Sequence, residues 1–406
     1  MGRRAWQTAV AVLAVLGAAA PTAGAAPQVP CYFIFGDSLV DNGNNNFIVS
    51  MARANYPPYG IDFAGGPTSR FSNGLTTVDV LAKLLGFDDF IPPFAGASGQ
   101  QLLTGVNFAS AAAGIREETG QQLGGRISFS GQVQNYQSAV EDLISILGDE
   151  DSAARHLSRC VFTVGMGSND YLNNYFMPAF YSTGSRYTPE QYADSLAADY
   201  SRLLQAMYRY GARKVAVIGV GQVGCSPNEL AQRSRDGVTC DEAINAAVRL
   251  FNQRLLRLVD RFNGALPGAR FTYVNVYGIF DDILRSPGAH GLKVTNAGCC
   301  GVGRNNGQVT CLPFQMPCAN RGEYLFWDAF PPDGGRQYPR RTEDLQREAR
   351  HRRPPVRHPD TRAALVTRAV NRASTSRLFG SSVCELCVMT GITSAQGFLH
   401  WVHNVL

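Results

Sequence analysis

The sequence predicts an α/β protein in which a parallel sheet is covered by helices on both faces. Two observations indicate this fold class. Short apolar runs rich in β-branched and aromatic residues alternate with longer segments whose apolar residues recur at helical spacing. Polar segments directly follow three of these runs, and the carboxyl ends of parallel strands are where such sheets bind ligands. We therefore expect a five-stranded parallel sheet with one crevice at that edge.

Each apolar run is short enough to be a buried strand. The five predicted strands are Tyr32–Phe35, Val106–Ala109, Val161–Val164, Val215–Val220 and Phe271–Val276. Asp241 is a suitable N-cap for the last predicted helix, and Gly211 is a suitable stop for the helix before it. The predicted helices are Thr76–Leu85, Gln132–Leu147, Pro189–Tyr210 and Asp241–Phe262.

The amino-terminal residues have the pattern of a cleaved secretory signal. Arg3 and Arg4 give a basic start, an apolar run extends from Ala9 to Ala20, and small residues follow up to Ala25. The apolar run is too short to span a bilayer comfortably, and no later segment is long and apolar enough to do so. We expect export, with cleavage near Ala25 and no membrane span.

Export through an oxidising compartment favours disulfides among the ten cysteines. Cys225 and Cys240 flank one polar loop, and a second polar loop contains Cys299, Cys300, Cys311 and Cys318. Zinc is the alternative for the second group, but the spacing and the lack of a nearby histidine disfavour it. We expect disulfides of open connectivity there and no metal. Cys31 and Cys160 begin strand-like runs and are expected to be buried thiols.

The net charge of +5 comes from the carboxyl-terminal part of the chain. Residues 331–406 contain twelve arginines, no lysine and six acidic residues, which leaves the rest of the chain close to neutral. The basic balance therefore indicates no nucleic-acid partner for the folded body. The stretch 336–377 is rich in arginine and proline without hydrophobic periodicity, so we expect it to be disordered.

Four sequence blocks follow one another in the order and at the spacing of a known enzyme family. Gly36-Asp37-Ser38-Leu39, followed by Asp41 and Gly43-Asn44-Asn45, resembles the first signature block of the plant GDSL esterase/lipase family. The other blocks that resemble this family are Gly105–Ser110, Gly167–Tyr171 and Tyr324–Asp328. One block would be a weak signal, whereas four in order over roughly residues 30 to 330 make chance similarity a poor explanation.

The resemblance implies a three-layer α/β/α fold like that of flavodoxin, the fold of the SGNH hydrolases. It also implies ester substrates and no cofactor. Ser38 would be the nucleophile, and Asp328 would orient the base that activates it. The Asn169 side chain would stabilise the oxyanion together with the backbone N–H groups of Ser38 and Gly114, and one such donor contributes about 3 kcal/mol.

These residues also have structural interpretations. Ser38 suits a helix N-cap, Asn169 an Asx-turn, and Gly114 a turn that needs positive φ. Asp37 and the asparagine run 42–46 are expected to brace the loop after the first strand rather than to act in catalysis.

The sequence departs from the family at the catalytic base. The resemblance implies a histidine three residues after Asp328, but Pro331 occupies that position and cannot accept a proton. The family continues as His-Pro-Thr-Glu-Ala-Ala-Asn. With suitable codons, loss of one base at the codon for Pro331 converts the sequence into His-Pro-Thr-Glu-Ala-Ala-Asn-Ile-Leu-Val. We therefore interpret residues 331–406 as a frameshifted tail.

Together these observations predict a signal peptide at residues 1–25, an SGNH/GDSL hydrolase domain at 26–330 and an atypical tail at 331–406. The predicted protein is a monomeric esterase or lipase, secreted to the apoplast or cell wall, which acts on a small-molecule or lipid ester and is inactive as written. A non-catalytic extracellular binding protein and an acyltransferase on the same fold are the alternatives. The transcript sequence tests the first alternative, and product analysis with competing alcohols tests the second.

Overall fold

A computed structural model describes residues 26–329, so the predicted signal peptide and the predicted tail lie outside the described residues. Four parallel strands form the central sheet, in chain order from one edge to the other. They are β1 (Tyr32–Gly36), β2 (Val161–Gly165), β3 (Lys214–Ile218) and β4 (Arg270–Val274). No helix within residues 26–329 is long and apolar enough to cross a membrane.

The predicted strand at 106–109 runs beside β1 without becoming a regular strand. Ile34 N–H donates to Val106 O at 3.1 Å, and Phe108 N–H donates to Ile34 O at 2.8 Å. On its other side, Asn107 bonds through its backbone to Pro92 and Phe94. Counted as a fifth strand, this segment gives the order 2-1-3-4-5 of flavodoxin-like folds, which confirms the predicted fold class.

The predicted helices are all present, with ends shifted by a few residues. Asp241 caps its helix as predicted, because its side chain accepts from the N–H groups of Ala243 and Ile244. The α-helices of residues 26–329 are α1 (Thr77–Leu84), α2 (Phe129–Leu147), α3 (Glu150–Leu157), α4 (Ser168–Asp170), α5 (Thr183–Arg186), α6 (Pro189–Arg209), α7 (Pro227–Arg233), α8 (Glu242–Ala265) and α9 (Val276–Arg285).

The two faces of the sheet are covered unequally. The long helices α2, α6 and α8 pack on one face, in a core that contains Phe33, Phe162 and Val215. Among the α-helices of the described residues, only the short α1 and α9 contribute to the apolar cluster on the other face, which is otherwise built from strand and loop residues such as Phe87, Ile91 and Phe326. Ile218 points to that second face and is only half-buried. This layer is therefore thinner than a parallel sheet normally requires.

Four disulfides cross-link the described chain. Cys225–Cys240, Cys299–Cys318 and Cys300–Cys311 form, as predicted for these loops. The last two brace the connection between two further parallel strands, β5 (Val294–Gly298) and β6 (Tyr324–Phe326).

The prediction of buried thiols at Cys31 and Cys160 is wrong, since these residues form the fourth disulfide. They precede β1 and β2 at facing positions, where Val161 N–H donates to Cys31 O and the two Cα atoms are 4.8 Å apart. Because 129 residues separate the two cysteines, only the pairing of the strands brings them together.

Candidate active site

Ser38 lies in the first turn after β1, at the carboxyl edge of the sheet. The Gln132 side chain fixes this turn by donating to Gly36 O at 2.8 Å and accepting from Gly36 N–H at 3.0 Å. A Cβ on Gly36 would lie 2.4 Å from the Val40 side chain, so the turn requires glycine. Ser38 begins no helix, which makes the N-cap interpretation wrong. Its hydroxyl has no hydrogen-bond partner among residues 26–329.

Two buried carboxylates hold the loop after the nucleophile. Asp37 accepts from Leu39 N–H at 3.1 Å, and burial raises the pKa of Asp37 to about 7. Asp41 accepts from the N–H groups of Gly43 and Ala111, and burial raises its pKa to about 6. Both contacts agree with the predicted bracing role of Asp37 and extend it to Asp41.

The asparagine run acts as a scaffold, as predicted. Each side-chain amide donates to a backbone carbonyl of another segment, which satisfies buried acceptors that have no ladder partner. These acceptors are Ile91 for Asn42, Asn107 and Ala109 for Asn44, Ala52 and Ala111 for Asn45, and Thr68 for Asn46. The loop that carries Ser38 is thereby tied to the segment 106–111.

The segment that contains Gly114 is anchored by a third buried carboxylate. Asp170 accepts from Ile115 N–H at 2.8 Å and from Arg116 N–H at 3.1 Å. A Cβ on Gly114 would lie 2.4 Å from Thr119 and 2.8 Å from Asp170 Oδ1. Gly114 does not have positive φ, so the turn interpretation is wrong and lack of space is what requires glycine.

Asn169 forms no Asx-turn. Its amide is part of a series of side-chain hydrogen bonds in which each residue accepts from the next. Its Nδ2 donates to Ala113 O at 2.9 Å, and its Oδ1 accepts from Asn173 Nδ2 at 2.7 Å. Asn173 Oδ1 in turn accepts from Gln122 Nε2 at 2.8 Å, and Gln122 Oε1 accepts from Tyr181 OH. Because a carbonyl can only accept, the Ala113 contact sets the direction of every bond in this series, which we call the amide relay.

Three hydrogen-bond donors at this edge have no acceptor within the described part of the chain. They are the backbone N–H groups of Ser38 and Gly114 and the second N–H of the Asn169 amide. Buried N–H groups are normally paired, so unused donors at a sheet edge indicate an anionic or oxyanionic ligand. The segment 110–116 links the turn of Ser38 to Asn169, since Ser110 N–H donates to Gly36 O and Ala113 O accepts from Asn169 Nδ2.

Asp328 lies just beyond β6 and is buried. Its Oδ2 accepts from Thr310 Oγ1 at 2.9 Å and from the hydroxyl of Tyr59. Burial, followed by the charge of Asp328, raises the pKa of Tyr59 well above its usual value. Phe326, two residues before Asp328, lines the same apolar cavity as Leu39 and so connects the carboxylate to the nucleophile's turn.

Neither histidine of the described chain accompanies Asp328. His156 Nε2 lies 3.2 Å from Cys31 Sγ, which is at the amino end of β1 and so opposite Ser38. His290 precedes the start of β5, whereas Asp328 packs against Gly298 at the far end of that strand. The site therefore has a serine at the sheet edge, a buried carboxylate and three N–H donors without acceptors, and no histidine beside the carboxylate among residues 26–329.

The fold and these donors define a class of protein, a parallel α/β hydrolase with a serine at the sheet edge. Residues 32–334 match the family model of the GDSL-like lipase/acylhydrolases. The chain therefore belongs to that family and is a carboxylic ester hydrolase of the GDSL type.

Several plant relatives are similar over most of their length. The GDSL esterase/lipase At5g45670 of Arabidopsis thaliana is 66% identical over 75% of this chain and 84% of its own. GDSL esterase/lipase At4g18970 from the same plant is 62% identical over 80% of this chain and 90% of its own. Among solved structures, a lipase from a goat rumen metagenome shares 11% identity over 61% of this chain and 81% of its own, with a TM-score of 0.27, too low to bear on the fold.

Proposed function

We propose that this protein is a secreted, monomeric serine esterase that hydrolyses lipid or small acyl esters, with Ser38 as nucleophile. The observation that carries the proposal is the set of three unused donors beside Ser38, from the Ser38 and Gly114 backbones and the Asn169 amide. In ester hydrolysis a negative charge develops on the carbonyl oxygen, and donors that are already oriented stabilise it.

The proposed reaction has two stages. Ser38 Oγ attacks the acyl carbon while a base removes its proton, and the oxyanion binds at the three donors. The alcohol then leaves with that proton, and a water molecule releases the acid from Ser38 by the same steps. Asp328 would hold the base in the correct tautomer and stabilise it once protonated. Its bonds from Tyr59 and Thr310 orient the carboxylate for this role.

We further propose that the chain as written is almost inactive because Pro331 replaces the base. The uneven layers of the fold support the same conclusion. An apolar cavity on the thinly covered face is lined by Val78 of α1, Ile218 of β3 and Phe280 of α9. An amphipathic helix that followed the restored histidine would cover this face, as parallel sheets require.

The test compares two chains that both begin at Ala26. One has the sequence as written, and the other, the frame-restored chain, has the reading frame shifted after Phe330. Each is assayed with a short-chain nitrophenyl ester and by thermal melting, with Ser38→Ala as the background control. We expect the frame-restored chain to hydrolyse the ester and to melt at a higher temperature. Rapid turnover by the written chain would mean that another residue supplies the base.

A non-catalytic binding protein is the second candidate, and the absent base favours it. Deletion of one triad member leaves only about 10³- to 10⁴-fold acceleration over water in well-studied serine hydrolases. The same donors would then bind an ester or carboxylate without turnover. Sequencing the transcript across the codons for Phe326 to Arg341 separates the two candidates, since a transcript that encodes histidine at position 331 supports the esterase.

A further inference from the structure

Exposed apolar side chains concentrate on two short loops. Eleven large apolar residues are exposed among residues 26–329, and six of them lie in the loops 47–51 and 312–316. In the 47–51 loop they are Phe47, Val49 and Met51, of which Val49 is 91% exposed. In the 312–316 loop they are Leu312, Phe314 and Met316, of which Phe314 is 84% and Met316 is 88% exposed.

The two loops themselves carry no charge, although the guanidinium of Arg53 donates to Ile48 O at the base of the first loop. Residues 44–52 and residues 310–320 contain no acidic or basic side chain, although 17% of the whole sequence is charged. Neither loop therefore offers the charged groups that would select an anionic surface.

Each loop is attached to a different part of the candidate site. Ala52, next to the 47–51 loop, packs with Ala111 and Ala112 of the segment that leads to Gly114. Thr310, next to the 312–316 loop, binds Asp328. Phe71 packs against the apolar clusters at the base of both loops, so the two are joined beneath their tips. Both loops are therefore attached at their bases to segments that carry residues of the candidate site.

The 312–316 loop is held in its exposed form at a conformational cost. Phe314 has a φ of 64°, in the left-handed region that a bulky side chain rarely adopts. Its N–H donates to Pro57 O at 2.8 Å, and Leu312 N–H donates to Gln315 Oε1 at 3.0 Å, inside the segment closed by Cys299–Cys318. No packing of the exposed Phe314 ring offsets this strain, and strain of that kind tends to persist at functional sites.

We propose that the 47–51 and 312–316 loops form a docking surface for an uncharged lipid–water interface, which places the candidate site against aggregated ester lipids. The choice of an ester lipid rests on the proposed function. Protruding apolar tips without charged side chains of their own match such an interface, into which aromatic and aliphatic side chains insert.

The test measures binding and needs no turnover, so it can be made with the chain as written. Purified protein is floated with phosphatidylcholine-stabilised trioctanoin droplets, and the bound fraction is quantified. We expect the wild-type chain to bind, and Phe314→Gly and Met316→Ser each to weaken partitioning by on the order of tenfold, from the apolar burial that is lost. Phe314→Gly should leave the melting temperature unchanged or raised, because glycine relieves the left-handed φ.

Val238→Ser is the matched control, since Val238 is 61% exposed on the unrelated loop closed by Cys225–Cys240. It should bind droplets like the wild type. Absence of wild-type binding, equal binding by the Phe314 and Met316 variants, or an equal loss in the control would each overturn the proposal. So would concentration-dependent self-association that Phe314→Gly abolishes, because the loops would then be a protein interface. Lack of esterase activity in the frame-restored chain, with droplet binding intact, would instead refute only the proposed function.

Discussion

Asn173 Nδ2 donates a 2.7 Å hydrogen bond to Asn169 Oδ1, while Asn169 Nδ2 donates to Ala113 O from the other side of the same amide. Asn173 is fully buried at a kink in the segment Tyr171–Tyr175, where its φ of −108° and ψ of 25° are not helical. Its own amide oxygen accepts from Gln122 Nε2. Two contacts therefore hold the amide of Asn169, the residue proposed to stabilise the oxyanion, and one of them comes from the side chain of Asn173.

Asn173→Asp tests this orientation in the frame-restored chain. A carboxylate at this position cannot donate to Asn169 Oδ1 and would repel it, so the Asn169 amide keeps only its contact to Ala113 O and its proposed oxyanion donor is no longer held in place. We expect kcat to fall by about 10²-fold or more with little change in KM, as for loss of one such donor. Asn174→Asp is the control, because Asn174 is equally buried on the same turn but bonds to Thr119 and Thr183. An equal kcat loss in both variants at equal stability would contradict the relay.

Labelling by an organophosphonate ester tests Ser38 directly. The frame-restored chain should be modified at Ser38, as found by peptide mass spectrometry, because its hydroxyl has no competing partner at the sheet edge within the described chain. Ser168, next to Asn169 and also lining the apolar cavity, is the control position. Ser38→Ala should abolish labelling and leave only residual hydrolysis. Full activity in Ser38→Ala, or labelling at Ser168, would show that the nucleophile is another residue.

The buried Asp37 predicts a specific pH dependence of stability. Its pKa is raised by burial to about 7 from a usual 3.8, so between these values the folded chain holds a proton that the unfolded chain has released. The free energy of unfolding therefore falls as pH rises through this window, by up to about 1.4 kcal/mol per pH unit for one group. Asp37→Asn should remove the share of the fall that is due to Asp37 and leave the share of other buried carboxylates such as Asp41, whose pKa burial raises to about 6. Urea unfolding of both chains from pH 4.5 to 8 measures the difference.

Asp236→Asn is the control for this titration. Asp236 is exposed, and hydrogen bonds from Thr239 and Val238 lower its pKa below its usual value, so its charge does not change between pH 4.5 and 8. The stability difference between this variant and the wild type should be constant over the range. A constant difference for Asp37→Asn as well would contradict the assigned shift.

We expect Gly114→Ala to destabilise the chain, because there is no room for a Cβ at this position. The new methyl group would meet Thr119 and Asp170, and overpacking of this kind costs about 1–3 kcal/mol of unfolding free energy. Gly264→Ala is the matched change, since Gly264 lies in α8 with no atom within 4 Å of the added Cβ. It should stabilise the chain by about 1 kcal/mol in chemical denaturation. Equal effects of the two substitutions would exclude the steric explanation.

The sequence predicts those features of the structure that depend on residues close together in the chain. Four of the five predicted strands, the capped helix at Asp241 and the turn of Ser38 depend on residues within a few positions, and the structure places them where they are predicted. The predicted strand at 106–109 forms only isolated bridges. The contacts of Asp328 depend on the tertiary fold, because Tyr59 is 269 residues away and carries no motif. The same is true of Cys31 and Cys160, which lie close together only once β1 pairs with β2.

The bond between Tyr59 and Asp328 also has a consequence for the order of events during translation. Arg321 forms an ion pair with Asp62 across a similar span, 259 residues, so the early loop around residues 56–74 is closed only after this much later segment has left the ribosome. Until then Tyr59 lacks Asp328, and Asp62 lacks Arg321. A nascent chain that stalls before residue 328 should therefore keep the loop accessible to proteases and folding helpers, whereas release of the segment to residue 329 closes it.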